Sequence, residues 1–332
     1  MKKILNTPES FVDDMLEGIY SAHSDMVKCV DTDLRCYVTN RSKEGKVALA
    51  TGGGSGHLPL FLGYVGEGML DGCAVGGVFQ SPSSMQIFEV TKEIDNGAGV
   101  IYIYGNYTGD IMNFDMAGEM AEMEDIEVRT VIGMDDVASA PKDETEKRRG
   151  VAGIFFVFKC AGAAAEAMMS IDEVERIAKK AGENVGTMGI ALSPCIIPEV
   201  GKPGFEIADG MMAVGMGIHG EPGIRESKLA TSDEIVAEII DVITKDLSIE
   251  RGDEVSILIN GLGSTPKEEL YVMFNSAQKI LKEKGVKIHR PYVGEYATAM
   301  EMTGASISLL KLDKELKDLV DRSANTPFFV QK

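Results

Sequence analysis

KVALATGGGSGHLP, residues 46–59, joins a short apolar run, KVALAT (46–51), directly to three consecutive glycines, and the apolar run is predicted to be a strand. The stretch GVIYIYGNYTGD, residues 99–110, has the same form and is followed by an amphipathic pattern from about Ile111 to Met123. Alternation of strand, glycine-rich turn and helix indicates an α/β sheet. Since ligands of such sheets bind beyond the carboxyl ends of the strands, the two glycine-rich loops are candidates for one pocket.

Further apolar runs extend this pattern along the chain. Strands are predicted for VRTVIG (128–133), TMGIALS (187–193), MMAVGMGI (211–218), EVSILIN (254–260), VKIHR (286–290) and SISLLKL (306–312). Helices are predicted after the cap Thr7, over most of 150–169, and after the capping pairs Ser170 with Glu173, Thr231 with Glu234 and Thr265 with Glu268. We therefore predict two domains, 1–184 with the first two glycine-rich loops and 185–332 with a third, GIHGEPG (217–223).

The composition restricts the functions open to the chain. Its 332 residues carry a net charge of −19, which argues against nucleic acid and anionic membranes because both are bound through basic patches. No apolar run approaches the roughly 18 residues of a membrane span, and MKKILNTPES lacks the apolar core of a signal peptide, so a cytoplasmic location is expected. The cysteines and histidines show no metal-ligand spacing, and no metal site is predicted.

Two histidines, His57 and His219, lie in glycine-rich stretches. In GGGSGH (52–57) the glycines would let backbone N–H groups approach a ligand, although the alternative is a tight turn that leaves His57 exposed. No Walker sequence, GxxxxGK[ST], occurs in the chain. The dinucleotide-like spacing in GMGIHGEPG (215–223) is discounted, because Glu-Pro-Gly follows where a helix would have to begin. There the glycines either form a tight turn or clear space so that a ligand reaches the imidazole of His219.

Asp110 ends the loop GNYTGD (105–110), where it is either a plain N-cap or a functional carboxylate stabilised by the helix dipole. Neutral imidazole is a nucleophile as well as a base, so His219 could add to the carbonyl of a small ketose and form a hemiaminal. Asp110 and His57 could then take the proton of a substrate hydroxyl as it attacks a phosphoryl group, or polarise the carbonyl. The spacing leaves a purely structural role open for each residue.

Taken together, these motifs resemble those of the dihydroxyacetone-binding K subunits of dihydroxyacetone kinases, over essentially the whole chain. The motifs are GGGSGH (52–57), GNYTGD with IMNFDMA (105–117), KRRGVAG (147–153), MGIALSPC (188–195), GIHGEPG (217–223), NGLGSTP (260–266) and NTPFF (325–329). The resemblance implies two α/β domains with mixed sheets flanked by helices, in a homodimer.

The resemblance also implies roles for individual residues. His219 would form the hemiaminal, and His57 and Asp110 would bind the short ketose and assist proton transfer. The backbone that would line the sugar is that of Gly54, Ser55 and Gly56. This chain would bind no cofactor, because ADP or ATP with Mg would be held by a partner L subunit. The donor would be ATP directly or, in phosphotransferase systems, an M subunit that rephosphorylates ADP on the L subunit.

Two positions depart from the family pattern. Many members have a lysine before NYTGD, where this chain has Gly105, and Glu-Pro after the first histidine, where it has Leu58-Pro59. Losing the lysine removes a charge-assisted donor and leaves room in the pocket. The substrate is therefore dihydroxyacetone or a four-carbon ketose such as erythrulose. The alternative function is a ketose sensor or transcriptional co-activator without catalysis.

Overall fold

The computed structural model describes residues 2–332 and groups the chain into two units. The first comprises the chain up to Gly133 with Phe156–Ala181 and Leu316–Lys332, and the second comprises Met134–Phe155 and Gly182–Glu315. Met1, where the predicted domain 1–184 begins, lies outside the described residues. The boundary predicted near residue 184 lies close to one junction between these segments, and the two predicted domains, 1–184 and 185–332, stay a prediction.

Helices occur in both units and alternate with strands along the chain. They are α1 (Phe11–Ala22), α2 (Ser84–Ile94), α3 (Thr108–Glu122), α4 (Ile154–Glu166), α5 (Ile171–Glu183), α6 (Ser232–Asp246), α7 (Lys267–Lys284) and α8 (Lys314–Val320). Among residues 2–332, none of these helices combines the length and apolar composition that a membrane crossing requires.

A six-stranded mixed sheet forms the centre of the first unit. Its strands are β1 (Val27–Val30), β2 (Asp33–Thr39), β3 (Ala48–Ser55), β4 (Gly72–Val78), β5 (Val100–Gly105) and β6 (Val128–Gly133). They lie in the order β1-β2-β4-β3-β5-β6, and the pairs from β4 to β6 are parallel. Because β3 and β5 are parallel neighbours, the loops that follow them leave the same edge of this sheet.

The second unit has a six-stranded sheet of its own. Its strands are β7 (Val185–Ser193), β8 (Met211–Val214), β9 (Arg225–Lys228), β10 (Glu254–Gly261), β11 (Lys287–Gly294) and β12 (Thr303–Leu312). Their order is β11-β10-β12-β7-β8-β9, with β10 and β11 parallel and the remaining pairs antiparallel. Since β8 pairs with β9, the stretch GMGIHGEPG is the connection of a hairpin at the edge of this sheet.

Amphipathic helices cover the sheets. In α6 the buried residues Ile235, Ile239 and Ile243 repeat at intervals of four, so they share one face of the helix. This face packs with Leu270 and Leu281 of α7 and with the apolar side chains of the second sheet. Such burial contributes roughly 1.5–3 kcal/mol for each large aliphatic side chain.

The last residues of the chain return to the first unit. There β13 (Ala324–Asn325) and β14 (Val330–Gln331) pair antiparallel. The hydroxyl of Thr326 donates a hydrogen bond to the carbonyl oxygen of Gly63 at 2.8 Å. The carboxyl-terminal residues thereby become part of the packing around the segment that follows β3.

The predicted fold class, two mixed α/β sheets flanked by helices, is confirmed. The helix predicted within 150–169 is α4. The strand predicted for 46–51 instead extends through the glycines to Ser55 as β3, while the strand predicted for 211–218 ends at Val214 because Gly215 turns the chain with φ of 73°. The elements that were not predicted are strands β1, β2, β4, β9, β13 and β14 and helices α2 and α8.

The predicted helix caps had mixed outcomes. Thr231 and Glu234 form the reciprocal capping box at α6, and Ser170 Oγ accepts a hydrogen bond from Glu173 N. The box predicted for Thr265 is wrong, because its hydroxyl donates to the Gly304 carbonyl at 2.6 Å and accepts from Gly304 N at 2.9 Å. Thr7 caps a preceding turn by accepting from Ser10 N, so α1 begins only at Phe11.

Candidate functional site

The glycine run after residue 51 is strand backbone rather than an open loop. Gly52, Gly53 and Gly54 pair with β4, and the turn begins at Gly56, where φ is 104°. The hydroxyl of the buried Ser55 donates to the carbonyl of Gly76 at 2.9 Å. The expectation that backbone N–H groups of these glycines approach a ligand stays a prediction, as do the roles of Gly54, Ser55 and Gly56 in lining the sugar.

The glycines allow two aromatic residues to approach β3. A Cβ atom at Gly54 would lie 2.6 Å from Cα of Phe79, and a Cβ at Gly53 would lie 2.6 Å from Cζ of Phe61. Both phenylalanines have positive φ, 57° and 69°, which is uncommon for residues other than glycine. Close packing against Gly53 and Gly54, which have no side chains, holds Phe61 and Phe79 in these backbone conformations.

His57 lies against these aromatic rings. Its ring stacks on Phe79 at a centroid distance of 4.7 Å and meets the edge of Phe61 at 6.2 Å. The residue is fully buried. The alternative of an exposed histidine on a plain turn is therefore wrong, and the imidazole is oriented by apolar surfaces on two sides.

Asp110 lies in the first turn of α3, which follows β5. The N-cap position is occupied by Tyr107, so Asp110 is not a plain N-cap. The residue is buried, with 7% of its surface exposed, and it lies where the helix dipole favours an anion. The negative charge of Asp110 also affects Tyr104. Burial raises the pKa of the Tyr104 hydroxyl, and the charges of Asp115 and Asp110 raise it further.

Gly105 is the last residue of β5 and is buried. It pairs with Gly133 of β6, and its carbonyl accepts a hydrogen bond from Tyr107 N at 2.9 Å. Because this position has no side chain, it brings neither a charge nor a donor side chain to the loop that carries Asp110.

In the second unit, His219 forms a close pair with Glu221. Its Nδ1 lies 2.9 Å from Oε1 of Glu221, and its backbone N–H donates to Oε2 at 2.9 Å. Burial alone raises the pKa of Glu221, but the hydrogen bond and the charge of His219, with a smaller effect of Arg149, lower it to about 2. Because the ionised carboxylate can only accept, Nδ1 carries the hydrogen, and the lone pair of neutral His219 is on Nε2.

The glycines around His219 leave room for the carboxylate of Glu221. A Cβ at Gly217 would overlap Oε2 of Glu221 and would lie 2.8 Å from Nη1 of Arg149. Gly215 and Gly220 have φ of 73° and 81°, as the turn requires. The glycines thus form a tight turn and leave room for the Glu221 carboxylate, while the alternative that they let a ligand reach the imidazole stays a prediction.

The predicted residues fall into two groups. His57 and Asp110 both belong to the first unit and follow the parallel neighbours β3 and β5, whereas His219 belongs to the second unit. Sequence reasoning missed Phe61, Phe79 and Glu221. Among residues 2–332, no group of three His, Cys, Asp or Glu side chains is arranged to hold a metal ion.

Comparison with known proteins identifies relatives along the full chain. Residues 17–328 match the Dak1 domain family. The chain is 45% identical over 330 residues to "PTS-dependent dihydroxyacetone kinase 2, dihydroxyacetone-binding subunit DhaK" of Listeria innocua, with 99% of each chain covered. It is 40% identical to the L-erythrulose kinase of Pectobacterium atrosepticum, a match that covers 99% of this chain and 56% of the relative.

Two solved structures are also similar. The dihydroxyacetone kinase operon co-activator Dha-DhaQ has a TM-score of 0.90 and 31% identity, with 96% of this chain and 98% of that chain covered. The dihydroxyacetone kinase of C. freundii in complex with AMP-PNP and Mg²⁺ has a TM-score of 0.90 and 28% identity, with 99% and 61% covered. The predicted resemblance to dihydroxyacetone-binding subunits is thereby confirmed.

We predict that Gly54→Ala lowers the free energy of unfolding by about 1–3 kcal/mol, the usual cost of overpacking. The added Cβ would meet the backbone of Phe79, which a change of rotamer does not relieve. Urea denaturation measures the effect. The control is Gly18→Ala in α1, where nothing lies within 4 Å of the added atom. That variant should gain roughly 0.5–1 kcal/mol from helix propensity, and equal stability of the two variants would contradict the close packing.

We predict a pH-dependent stability difference between the wild type and Glu221→Gln. The pKa of Glu221 falls from 4.5 to about 2 on folding, so its contribution is complete above pH 4.5 and is lost as the pH falls towards 2. Above pH 4.5 the variant should be less stable by roughly 1.5–3 kcal/mol, the range for hydrogen bonds to charged groups. Denaturation curves between pH 2 and 7 measure this, with Glu226→Gln on the exposed face of β9 as control. A difference that does not change with pH would argue against the ionised pair.

Proposed function

This chain belongs to the Dak1 domain family, and we propose that it captures a short ketose as a hemiaminal on His219 and presents the ketose hydroxyl for phosphorylation. Its enzymatic role is that of the dihydroxyacetone-binding subunit of a kinase, which agrees with the names of its full-length relatives. The observation that carries the proposed chemistry is the His219–Glu221 pair, because it directs the lone pair of a partly exposed imidazole to Nε2.

The capture step needs only His219, Glu221 and a proton donor such as solvent. Nε2 of His219 attacks the carbonyl carbon, an N–C bond forms, and the π electron pair moves to the oxygen, which takes up a proton from solvent or an acidic group nearby. The Nδ1 proton passes to Glu221 and on to solvent, so the imidazole ends neutral. Glu221 stabilises the positive charge that develops on the ring. A polyol such as glycerol has no carbonyl and is not captured.

His57 and Asp110 are proposed to accept the proton of the substrate hydroxyl that attacks the phosphoryl group. Asp110 is suited to this role because it lies in the first turn of α3, where the helix dipole favours negative charge. His57 is suited because Phe61 and Phe79 fix its ring. Positioning and charge neutralisation account for the rest of phosphoryl transfer.

The phosphoryl donor is proposed to be a nucleotide held by a partner L subunit, as ADP or ATP with Mg. The support is that a structural neighbour, the kinase of C. freundii, binds AMP-PNP and Mg²⁺ and is longer than this chain, which covers 61% of it. In a phosphotransferase system an M subunit would regenerate the donor. A homodimer and a cytoplasmic location complete the proposal.

Dihydroxyacetone is the proposed substrate, and erythrulose is the second candidate. The glycine at position 105 favours the larger ketose by leaving the pocket without a side chain there, and a relative 40% identical to this chain is an L-erythrulose kinase. A second function, a non-catalytic ketose sensor, is favoured by the similarity to the co-activator Dha-DhaQ.

We predict that native mass spectrometry detects an adduct of the wild type with dihydroxyacetone or erythrulose but none with glycerol. The adduct should disappear in His219→Ala and persist in the control His289→Ala, a histidine of β11 in the same unit. The stronger adduct identifies the preferred ketose. An adduct that survives in His219→Ala, or its absence in the wild type, would refute capture by His219.

We predict that Asp110→Asn retains the adduct but lowers phosphoryl transfer from an L subunit by about 10²–10⁴-fold, the usual contribution of a general base. The measured quantity is ketose phosphate formed per unit time. The control is Asp115→Asn, an exposed aspartate on the same helix. A wild type that forms the adduct but accepts no phosphoryl group from any L subunit would instead support the sensor.

A further inference from the structure

We propose that Arg149 is a positioning residue for His219, which it holds by anchoring the start of the 215–223 loop and the carboxylate partner of the imidazole. This inference rests on the proposed function of His219. Arg149 is remote in sequence from the loop, and it belongs to the same unit.

The guanidinium of Arg149 joins the loop to a buried carboxylate. Its Nε donates to Oδ2 of Asp136 at 2.9 Å, and its Nη2 lies 2.8 Å from the same oxygen. Nη2 also donates to the carbonyl of Gly215 at 3.0 Å. The Arg149 backbone is fixed as well, because its N–H donates to Ser139 Oγ and its carbonyl accepts from Asp136 N, each at 3.0 Å.

The third nitrogen of the guanidinium faces the His219 pair. A Cβ built on Gly217 would contact both Nη1 of Arg149 and Oε2 of Glu221, so both groups lie against this glycine. Charges of opposite sign therefore follow one another from Asp136 through Arg149 to Glu221, the carboxylate that holds the imidazole of His219. Burial raises the pKa of Asp136 to about 6 in spite of the opposing charge of Arg149, and the arginine correspondingly loses an ionised partner in acid.

The 215–223 loop needs the hydrogen bonds of Arg149 because its glycines allow many backbone conformations. Gly215, Gly217 and Gly220 restrict φ and ψ less than other residues, and ring orientation at a nucleophile has to be held within a fraction of an ångström. The planar fork of arginine satisfies Asp136 and the Gly215 carbonyl together. A lysine offers one point charge and cannot reproduce this geometry.

The neighbouring Arg148 provides a matched control. It also forms a buried ion pair in the second unit, with Nη1 and Nη2 at 2.9 and 2.6 Å from the carboxylate of Asp246. Its Nε donates to the carbonyl of Ala140 at 2.8 Å. Arg148→Met and Arg149→Met therefore each remove an arginine that is paired with an aspartate of the second unit, one residue apart.

The experiment compares Arg149→Met, Arg149→Lys and Arg148→Met with the wild type in two readouts. The first is the ¹⁵N NMR spectrum of the His219 imidazole in protein without ketose, which reports the tautomer. The second is the rate of ketose adduct formation by mass spectrometry. We expect one Nδ1–H tautomer in the wild type and Arg148→Met. In Arg149→Met we expect a mixture of tautomers and an adduct rate lower by roughly 10–100-fold, as for other residues that orient a functional ligand, with Arg149→Lys between them.

Each result decides the inference. A wild-type tautomer and a wild-type adduct rate in Arg149→Met would overturn it, as would equal losses in Arg148→Met. Should Arg149→Met fail to fold, Arg149→Lys keeps the charge, and a wild-type spectrum and rate in that variant would overturn it. If the wild type forms no adduct, the hemiaminal proposal fails, but a tautomer change confined to the Arg149 variants still supports the positioning role.

Discussion

The first unit depends on the absence of side chains along one short stretch of β3. A single methyl group at Gly53 or Gly54 would collide with Phe61 or with the backbone of Phe79. These two aromatic residues in turn form the walls around His57. Burial of the imidazole is thus a consequence of strand packing, and the geometry of the histidine is linked to the stability of the central sheet.

The two glycine-flanked histidines have different surroundings. His57 lies between apolar rings, which fix its plane through contact area. His219 is held by a carboxylate that fixes both its backbone N–H and one ring nitrogen, and therefore selects a tautomer. The first arrangement suits a group that needs a defined direction, and the second suits a group that has to offer an electron pair on one particular nitrogen.

The sequence was sufficient to predict the α/β class, most strands of the second sheet and the placement of His57, Asp110 and His219 just beyond strands, because apolar periodicity and glycine-rich turns are local signals. The functional roles of these three residues stay predictions. Glu221 could have been found, since it lies two residues from His219. Phe61 and Phe79 carry no local signal, because their contacts depend on backbone conformation. Arg149 lies in the motif KRRGVAG (147–153), but the motif does not reveal its contacts with Asp136 and Gly215, which depend on tertiary packing.

The errors have similar physical causes. Thr265 has the sequence of a helix cap, yet tertiary hydrogen bonds to Gly304 take its hydroxyl. Helix α2 was missed although Ser83 and Gln86 form a capping box there, a pattern that is readable once the preceding β4 is recognised. That strand contains three glycines and lacks the alternation that identifies a strand.

The return of the chain's last residues to the first unit bears on how the protein tolerates additions to its carboxyl end. Gln331 is buried and its side-chain amide donates to the carbonyl of Val320 at 2.7 Å, while Lys332 is exposed. An affinity tag or a fused domain joined after Lys332 would therefore follow packed structure directly, with one exposed residue between them. A displacement of these last residues would disturb the hydrogen bond between Thr326 and Gly63, and Gly63 lies in the segment that follows the His57 turn. A flexible spacer after Lys332, or labelling at the opposite end of the chain, avoids this mechanical link.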